Sequence, residues 1–147
     1  MKFSKTLITT AILGFSLASF HYTAWADTPE QQFQQGLEAT ARDDYQTAFK
    51  LWLPLAEQGY SSAQYNLGVM YQYGRGVKQD DFEAVKWFSK AADQGNENAQ
   101  FMLGMSYLLG KGVQVNKFLA KEWLGKACDN GEQKGCKYYA KLKSVKS

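Results

Sequence analysis

An all-α solenoid of antiparallel helix pairs is the fold this sequence predicts, and three observations predict it. First, a block returns 36 residues on: Ala63-Gln64-Tyr65-Asn66-Leu67-Gly68 aligns with Ala99-Gln100-Phe101-Met102-Leu103-Gly104. The match continues from Gly74, Gly76 and Val77 to Gly110, Gly112 and Val113, and from Ala84, Trp87, Ala91 and Gly95 to Ala120, Trp123, Ala127 and Gly131. Second, within each block the apolar residues fall three and four apart, the stripe of a helix and not the alternation of a strand. Third, a Gly-x-Gly pair stands between the two stripes, as a chain reversal at positive φ requires. A fixed period of this length marks stacked supersecondary units, none of which can bury its apolar face alone.

Taken in order, the chain opens on Lys2 and Lys5, an apolar run from Leu7 to Phe20, and Ala24-Trp25-Ala26 before Asp27. This is the three-part pattern of a secretory signal peptide, with cleavage expected after Ala26. The run is 14 residues long, short of the roughly 20 that a spanning helix needs. Asp27 and not a cysteine stands directly after the cleavage site, which argues against a lipid anchor, and no later stretch is long and apolar enough to span a bilayer. Residues 27–147 are then one helical-repeat domain, with units at about 29–59, 61–95 and 97–131 and a terminal capping helix at 132–143.

The first unit is the shortest. Ala48, Leu51, Leu55 and Gly59 precede Ala84, Trp87, Ala91 and Gly95 by 36 each, but Gly36 precedes Gly68 by only 32. A tight turn around Arg42-Asp43-Asp44 therefore replaces the glycine loop. In the second unit Ala63, Leu67, Gly68 and Tyr71 make one stripe, and Phe82, Val85, Trp87, Phe88 and Ala91 make the other. The second helix opens at Asp80 with Glu83 three residues on, the pattern of a capping box, and its copy opens at Asn116. Gly68, Gly104, Ala84 and Ala120 are read as close-approach positions, and Trp87 and Trp123 as the large buried side chains. In the last half-unit, Lys134, Lys137, Lys141 and Lys143 supply the polar outer face that a solenoid end needs.

Chemistry is limited mainly by what is missing. The single histidine, His21, falls in the leader, so residues 27–147 hold no Ser-His, Cys-His or histidine-metal constellation. Asp43-Asp44 and Asp80-Asp81 stand at helix starts, where capping accounts for them. The Gly-x-Gly loops lack the strand-glycine-helix setting of a phosphate cradle. No catalytic residue, cofactor or metal is expected. Past the leader, fifteen basic residues face fourteen acidic ones, unevenly: residues 27–110 carry six against eleven, and 111–147 nine against three. Such polarity can orient a charged partner, but the basic end also suits a solvated cap. Nucleic acid is a poor fit to this balance in an exported protein.

These residues resemble the Sel-one-like repeat family, relatives of the tetratricopeptide repeats, whose units read roughly A-x-x-x-L-G-x-x-Y-x-x-G-x-G-V, then A-x-x-W and A-A-x-x-G. The resemblance covers about residues 29–143 and is closest in the two full units. It implies a right-handed superhelix that serves as a protein-interaction scaffold, and no chemistry by itself. In tetratricopeptide relatives the first helix of each unit lines the concave surface. That register selects Phe33, Leu37, Tyr65, Val69, Tyr73, Phe101, Met105 and Leu109 as a candidate partner groove, with Gln72 and Asn98 as hydrogen-bonding groups. Helical spacing alone does not separate a groove residue from one packed between units, so both readings stand at this stage.

Two further implications concern the cysteines and catalysis. Cys128 and Cys136, with seven residues between them across the Gly131 turn, match the C-x7-C spacing of a cysteine-rich subset of the family and should be bridged in an oxidising compartment. Members of that subset have been associated with penicillin-type substrates, which makes a weak β-lactam-binding or β-lactamase-like enzyme one alternative. No Ser-x-x-Lys occurs in the chain to support it. A regulatory or immunity protein for a secreted enzyme or toxin is another. The leading expectation is an exported, monomeric, non-enzymatic adaptor, in the periplasm or outside the cell, whose partner is a protein or peptide.

Overall fold

A computed structural model describes residues 27–144; the leader, with its signal-peptide pattern, His21 and the cleavage site after Ala26, lies outside the described residues. Seven helices follow one another: α1 Pro29–Ala41, α2 Tyr45–Glu57, α3 Ser61–Tyr73, α4 Asp81–Asp93, α5 Glu97–Leu109, α6 Lys117–Asp129 and α7 Gln133–Ser144. Each packs chiefly on its neighbours in the chain, α1 on α2, α2 on α3 and so on to α7. The result is the predicted α/α solenoid, with α1/α2, α3/α4 and α5/α6 as pairs and α7 closing the stack.

The helix starts follow side-chain chemistry. Thr28 and Gln31 form a reciprocal capping box on α1, and Asp44, Asn96 and Asn116 accept from Thr47, Ala99 and Leu119 at the starts of α2, α5 and α6. At α4 the expected capping box is only half made. Asp80 accepts from the Phe82 and Glu83 amides, but the Glu83 carboxylate pairs with Lys86 at 2.8 Å instead of reaching back. The Asp80 N–H donates to Tyr71 O at 2.9 Å, and one period later Asn116 donates to Tyr107 O at 2.9 Å. Each loop is thus tied to the helix it leaves. In the short first unit the turn falls where expected, and Asp43 adopts φ 59°, a left-handed position that aspartate tolerates.

Close approach within a pair comes from a glycine notch filled by one large side chain. A Cβ at Gly68 would lie 2.5 Å from the Phe88 ring, one at Gly104 would lie 2.7 Å from Leu124 Cγ, and one at Gly36 would run into the Trp52 indole. Trp52, Phe88 and Leu124 are spaced by 36 and are among the most buried residues of the stack. Of the two tryptophans expected to be buried, Trp87 is, in the core cluster with Leu55, Ala63 and Leu67 and with Lys90 over its ring at 4.5 Å; Trp123 is only half-buried, with Lys126 over its ring at 4.2 Å.

Unit is joined to unit by a recurring link between residues eight apart. Gln64, buried in α3, donates to Ala56 O at the end of α2 (3.0 Å) and accepts from Gln94 (2.8 Å). Gln100 repeats this in α5, donating to Ala92 O (3.2 Å) and accepting from Asn130 (2.9 Å). At the third junction the same two positions, one period on, are Cys136 and Cys128, joined by a disulfide with Cα atoms 4.5 Å apart. The covalent link therefore takes the place of the glutamine rung.

Candidate partner-binding face

The residues selected from the first helices divide into two sets. Phe33, Tyr65 and Phe101, each on the first turn or two of its helix, are half-buried, with ring centroids 5.7 Å from Trp52, 6.0 Å from Phe88 and 6.0 Å from Tyr138 respectively. They are wedges between helices whose outer edges remain accessible. Val69 and Met105 are half-buried, and Val69 packs on the core built around Phe88 and Leu103. Further along the helices, Leu37, Tyr73 and Leu109 are open, at 38%, 60% and 56% exposure. Tyr73 and Leu109 are repeat equivalents, so the most exposed apolar rungs stand at the far ends of α3 and α5. Asn98 is exposed. Gln72 is half-buried, and its Oε1 is buried with no hydrogen-bond partner among the described residues.

Burial pushes the Tyr65 phenol above its ordinary pKa, and the charges of Tyr73 and Glu132 add to the effect. Glu132, on the turn before α7, therefore bears on the same region as α3. At the basic end, Lys141 stacks on Tyr138 at 5.6 Å and Lys143 on Tyr139 at 5.5 Å. The only ion pairs among the described residues are the local Lys86–Glu83 and Lys126–Glu122 contacts, of the kind worth little at a surface.

One feature was not singled out from the sequence. Leu37, Thr40 and Ala41 of α1, Tyr45 and Trp52 of α2, and Asn66, Val69 and Met70 of α3 line an open depression of about 320 Å³ with Arg75 among its lining residues. The Arg75 guanidinium lies 5.4 Å from the Tyr45 ring and 5.4 Å from the Tyr73 ring. A signal existed: one period on, Tyr45, Tyr73 and Arg75 become Asp81, Leu109 and Lys111, so this cluster departs from the repeat together. No group of histidine, cysteine, aspartate or glutamate among the described residues could hold a metal ion.

The Sel1 repeat model matches residues 33–60, 61–96 and 98–132. The chain belongs to the Sel1 repeat family. Among solved structures it is similar to a protective antigen of uropathogenic Escherichia coli strains displaying an SLR fold, at 37% identity and TM-score 0.71, over 74% of this chain and 24% of that one. It is also similar to a Sel1 repeat protein from Oxalobacter formigenes, at 33% identity and TM-score 0.72, over 78% and 35%. Cysteine rich protein B of Helicobacter pylori, at 23% identity and TM-score 0.63 over 75% and 93%, shares the fold. Among curated proteins, DAP3-binding cell death enhancer 1 of rat and mouse match at 42% and 40% identity over 50 residues. The chain spans about a tenth of the length of those curated relatives. The glycines that recur with the 36-residue period are notch and loop positions, where a Cβ would meet a neighbouring side chain or backbone.

Proposed function

We propose that this Sel1 repeat protein is an exported, non-enzymatic adaptor that binds a segment of another protein along the first-helix face. The observation that carries the reading is the row of accessible apolar side chains on successive first helices: Leu37, then Tyr65 and Tyr73, then Phe101 and Leu109. Open apolar residues recurring on one face are the usual mark of a docking surface, and aromatic anchors commonly dominate its energy. The leader pattern at residues 1–26 and the Cys128–Cys136 bridge support export to an oxidising compartment. Among the described residues no helix is long and apolar enough to cross a membrane. The rat and mouse relatives are named for binding DAP3, which supports protein binding as the role of such repeats.

The test is affinity capture from an envelope extract with residues 27–147 as bait, followed by variants against the captured protein. Tyr73→Ala/Leu109→Ala removes exposed rungs without touching a wedge and should weaken binding by more than about 2 kcal/mol. Tyr65→Ala/Phe101→Ala should do the same only if melting shows the stack intact, because both rings also pack between helices. Neutralising Lys137 and Lys141 should mainly slow association and flatten its salt dependence. If the lysine variants abolish binding and the aromatic variants do not, the site is the basic end.

A further inference from the structure

We propose that the tip formed by the last glycine loop and the first turn of α6 seats the protein on a bilayer of anionic phospholipids, Val115 and Phe118 entering below the headgroups and Lys111, Lys117 and Lys121 facing the phosphates. The proposal goes beyond the adaptor reading and does not rest on it, because these residues belong to a loop and a second helix and not to the first-helix face. Its first support is how far the apolar side chains stand out. Phe118 is 76% exposed and Val115 58%, and they lie three apart around the N-cap Asn116. Tyr139 of α7 lines the same depression as Phe118, its ring over Gly125, so the apolar surface extends across two helices. Grouped open apolar side chains mark a surface that meets a partner or a membrane.

The second support is a contrast within the repeat. Where the second unit reads Gln79-Asp80-Asp81-Phe82-Glu83, the third reads Val115-Asn116-Lys117-Phe118-Leu119. The exposed phenylalanine is kept, Phe82 being 63% open, while all three carboxylates are gone, one of them replaced by lysine. Capping does not require the change, since Asp80 and Asn116 both cap their helices. Between Glu97 and Glu122 the chain has no acidic residue, and Lys111, Lys117 and Lys121 all fall in that stretch. None of the three makes an ion pair among the described residues. The acids that share the depression are Glu122, paired with Lys126 at 2.9 Å, and Asp129 at the other end of α6. Lysines set around projecting apolar side chains match a negative headgroup layer with an acyl layer beneath it. A folded partner would have to offer a socket shaped for Phe118, whereas an acyl layer takes a ring of any shape. A second copy pairing through the same edge would bring like charge against like.

The probes are vesicles of equimolar phosphatidylglycerol and phosphatidylethanolamine, and vesicles of phosphatidylcholine alone, cosedimented with residues 27–147, which hold all seven helices. The anionic vesicles should bind at least about tenfold more tightly than the zwitterionic ones, and the difference should shrink as salt rises. Lys111→Gln/Lys117→Gln should lose about tenfold or more on the anionic vesicles, at roughly fivefold per lysine. Val115→Ser/Phe118→Ser should also lose at least about tenfold, with the parent's melting temperature, since both side chains are on the surface. Phe82→Ser, in the acidic copy of the same turn, should stay within about twofold of the parent. Insertion is read with Phe118→Trp, whose added fluorescence should shift to the blue and be quenched by brominated acyl chains, while Phe82→Trp should show neither effect. No binding, equal binding to both kinds of vesicle, an unchanged Val115→Ser/Phe118→Ser protein, a Phe82→Ser loss as large as that one, or a Phe118→Trp ring untouched by the bromines would each overturn the proposal. So would self-association without lipid that Val115→Ser/Phe118→Ser abolishes, which would assign the tip to a second copy.

Discussion

The equivalence of glutamine rung and disulfide can be tested by exchanging them. Gln100→Ala removes the donor to Ala92 O and the acceptor for Asn130. The Ala92 carbonyl keeps the Gly95 N–H at 3.0 Å, so it is not orphaned, and the loss there is one hydrogen bond, about 1 kcal/mol. Asn130 is exposed and turns to water. Gln100 is 4% exposed, so deleting its Cγ methylene costs about 0.8 kcal/mol in burial, with the void left by the carboxamide besides. The expected loss is about 2 to 3 kcal/mol, a fall in melting temperature on the order of 10 °C for a domain of this size. Ala92→Cys/Gln100→Cys should then close a covalent rung at the middle junction. Closing so short a loop returns about 2 to 3 kcal/mol in the chain-entropy model, which brings the oxidised protein back to within about 1 kcal/mol of the parent. Both proteins are measured by denaturant unfolding with and without reductant, the last rung being rewritten as Cys128→Ala/Cys136→Gln so that reductant acts at one place. A bridge confirmed by mass that adds no stability over its reduced form would refute the equivalence, as would a Gln100→Ala protein as stable as its parent.

Three other outcomes follow from the packing and the caps. Cys128→Ser should lower stability by about 2 kcal/mol while the chain still folds, and two free thiols in the mass spectrum of periplasmically produced protein would remove the covalent rung from the native state. Gly104→Ala should destabilise: overpacking against Leu124 costs about 1 to 3 kcal/mol and outweighs a helix-propensity gain of about 1 kcal/mol. Adding Leu124→Ala should make the two changes less than additive in a double-mutant cycle. The Thr47 side chain, and then its backbone N–H, hold the Asp44 carboxyl below its ordinary value. With the folded pKa depressed, its contribution is present above the unfolded pKa and is lost as pH falls through the folded one. Asp44→Asn should therefore flatten the acid limb of the stability curve and leave the neutral region nearly unchanged.

Much of this fold was legible because the repeat compares the sequence with itself. Gly68 with Gly104 and Ala84 with Ala120 announce close helix pairs, and the loop glycines announce the reversals. What periodicity could not do was rank buried against marginal positions on one stripe. Trp87 and Trp123 are repeat equivalents, yet only Trp87 is buried, while the notch at Gly68 is filled by its neighbour Phe88. Lysine stems lie over both tryptophan rings. The i, i−8 rungs were hidden for another reason: a glutamine reads as a solvated residue until its partner carbonyl is placed. On the candidate face the first-helix register named accessible and wedged residues alike, because the exposure of a helix edge depends on the next unit. Arg75 was passed over as the interchangeable residue between two loop glycines, although Tyr45 and Tyr73 break the repeat alongside it.

The loop glycines also give the stack a direction. A Cβ at Gly76 would lie 2.7 Å from the Tyr45 carbonyl carbon, and one at Gly112 would run into the Asp81 carbonyl; each loop rests on the first turn of the second helix in the unit before it. The first unit is thus held by the loop of the second, and the second by the loop of the third. Among the described residues nothing rests in this way on the first turn of α6, and Phe118 there is 76% exposed. Unravelling from this end releases the units in order, like a zip, whereas loss of α1 frees no loop contact behind it. The covalent rung closes the one junction from which that unravelling would begin.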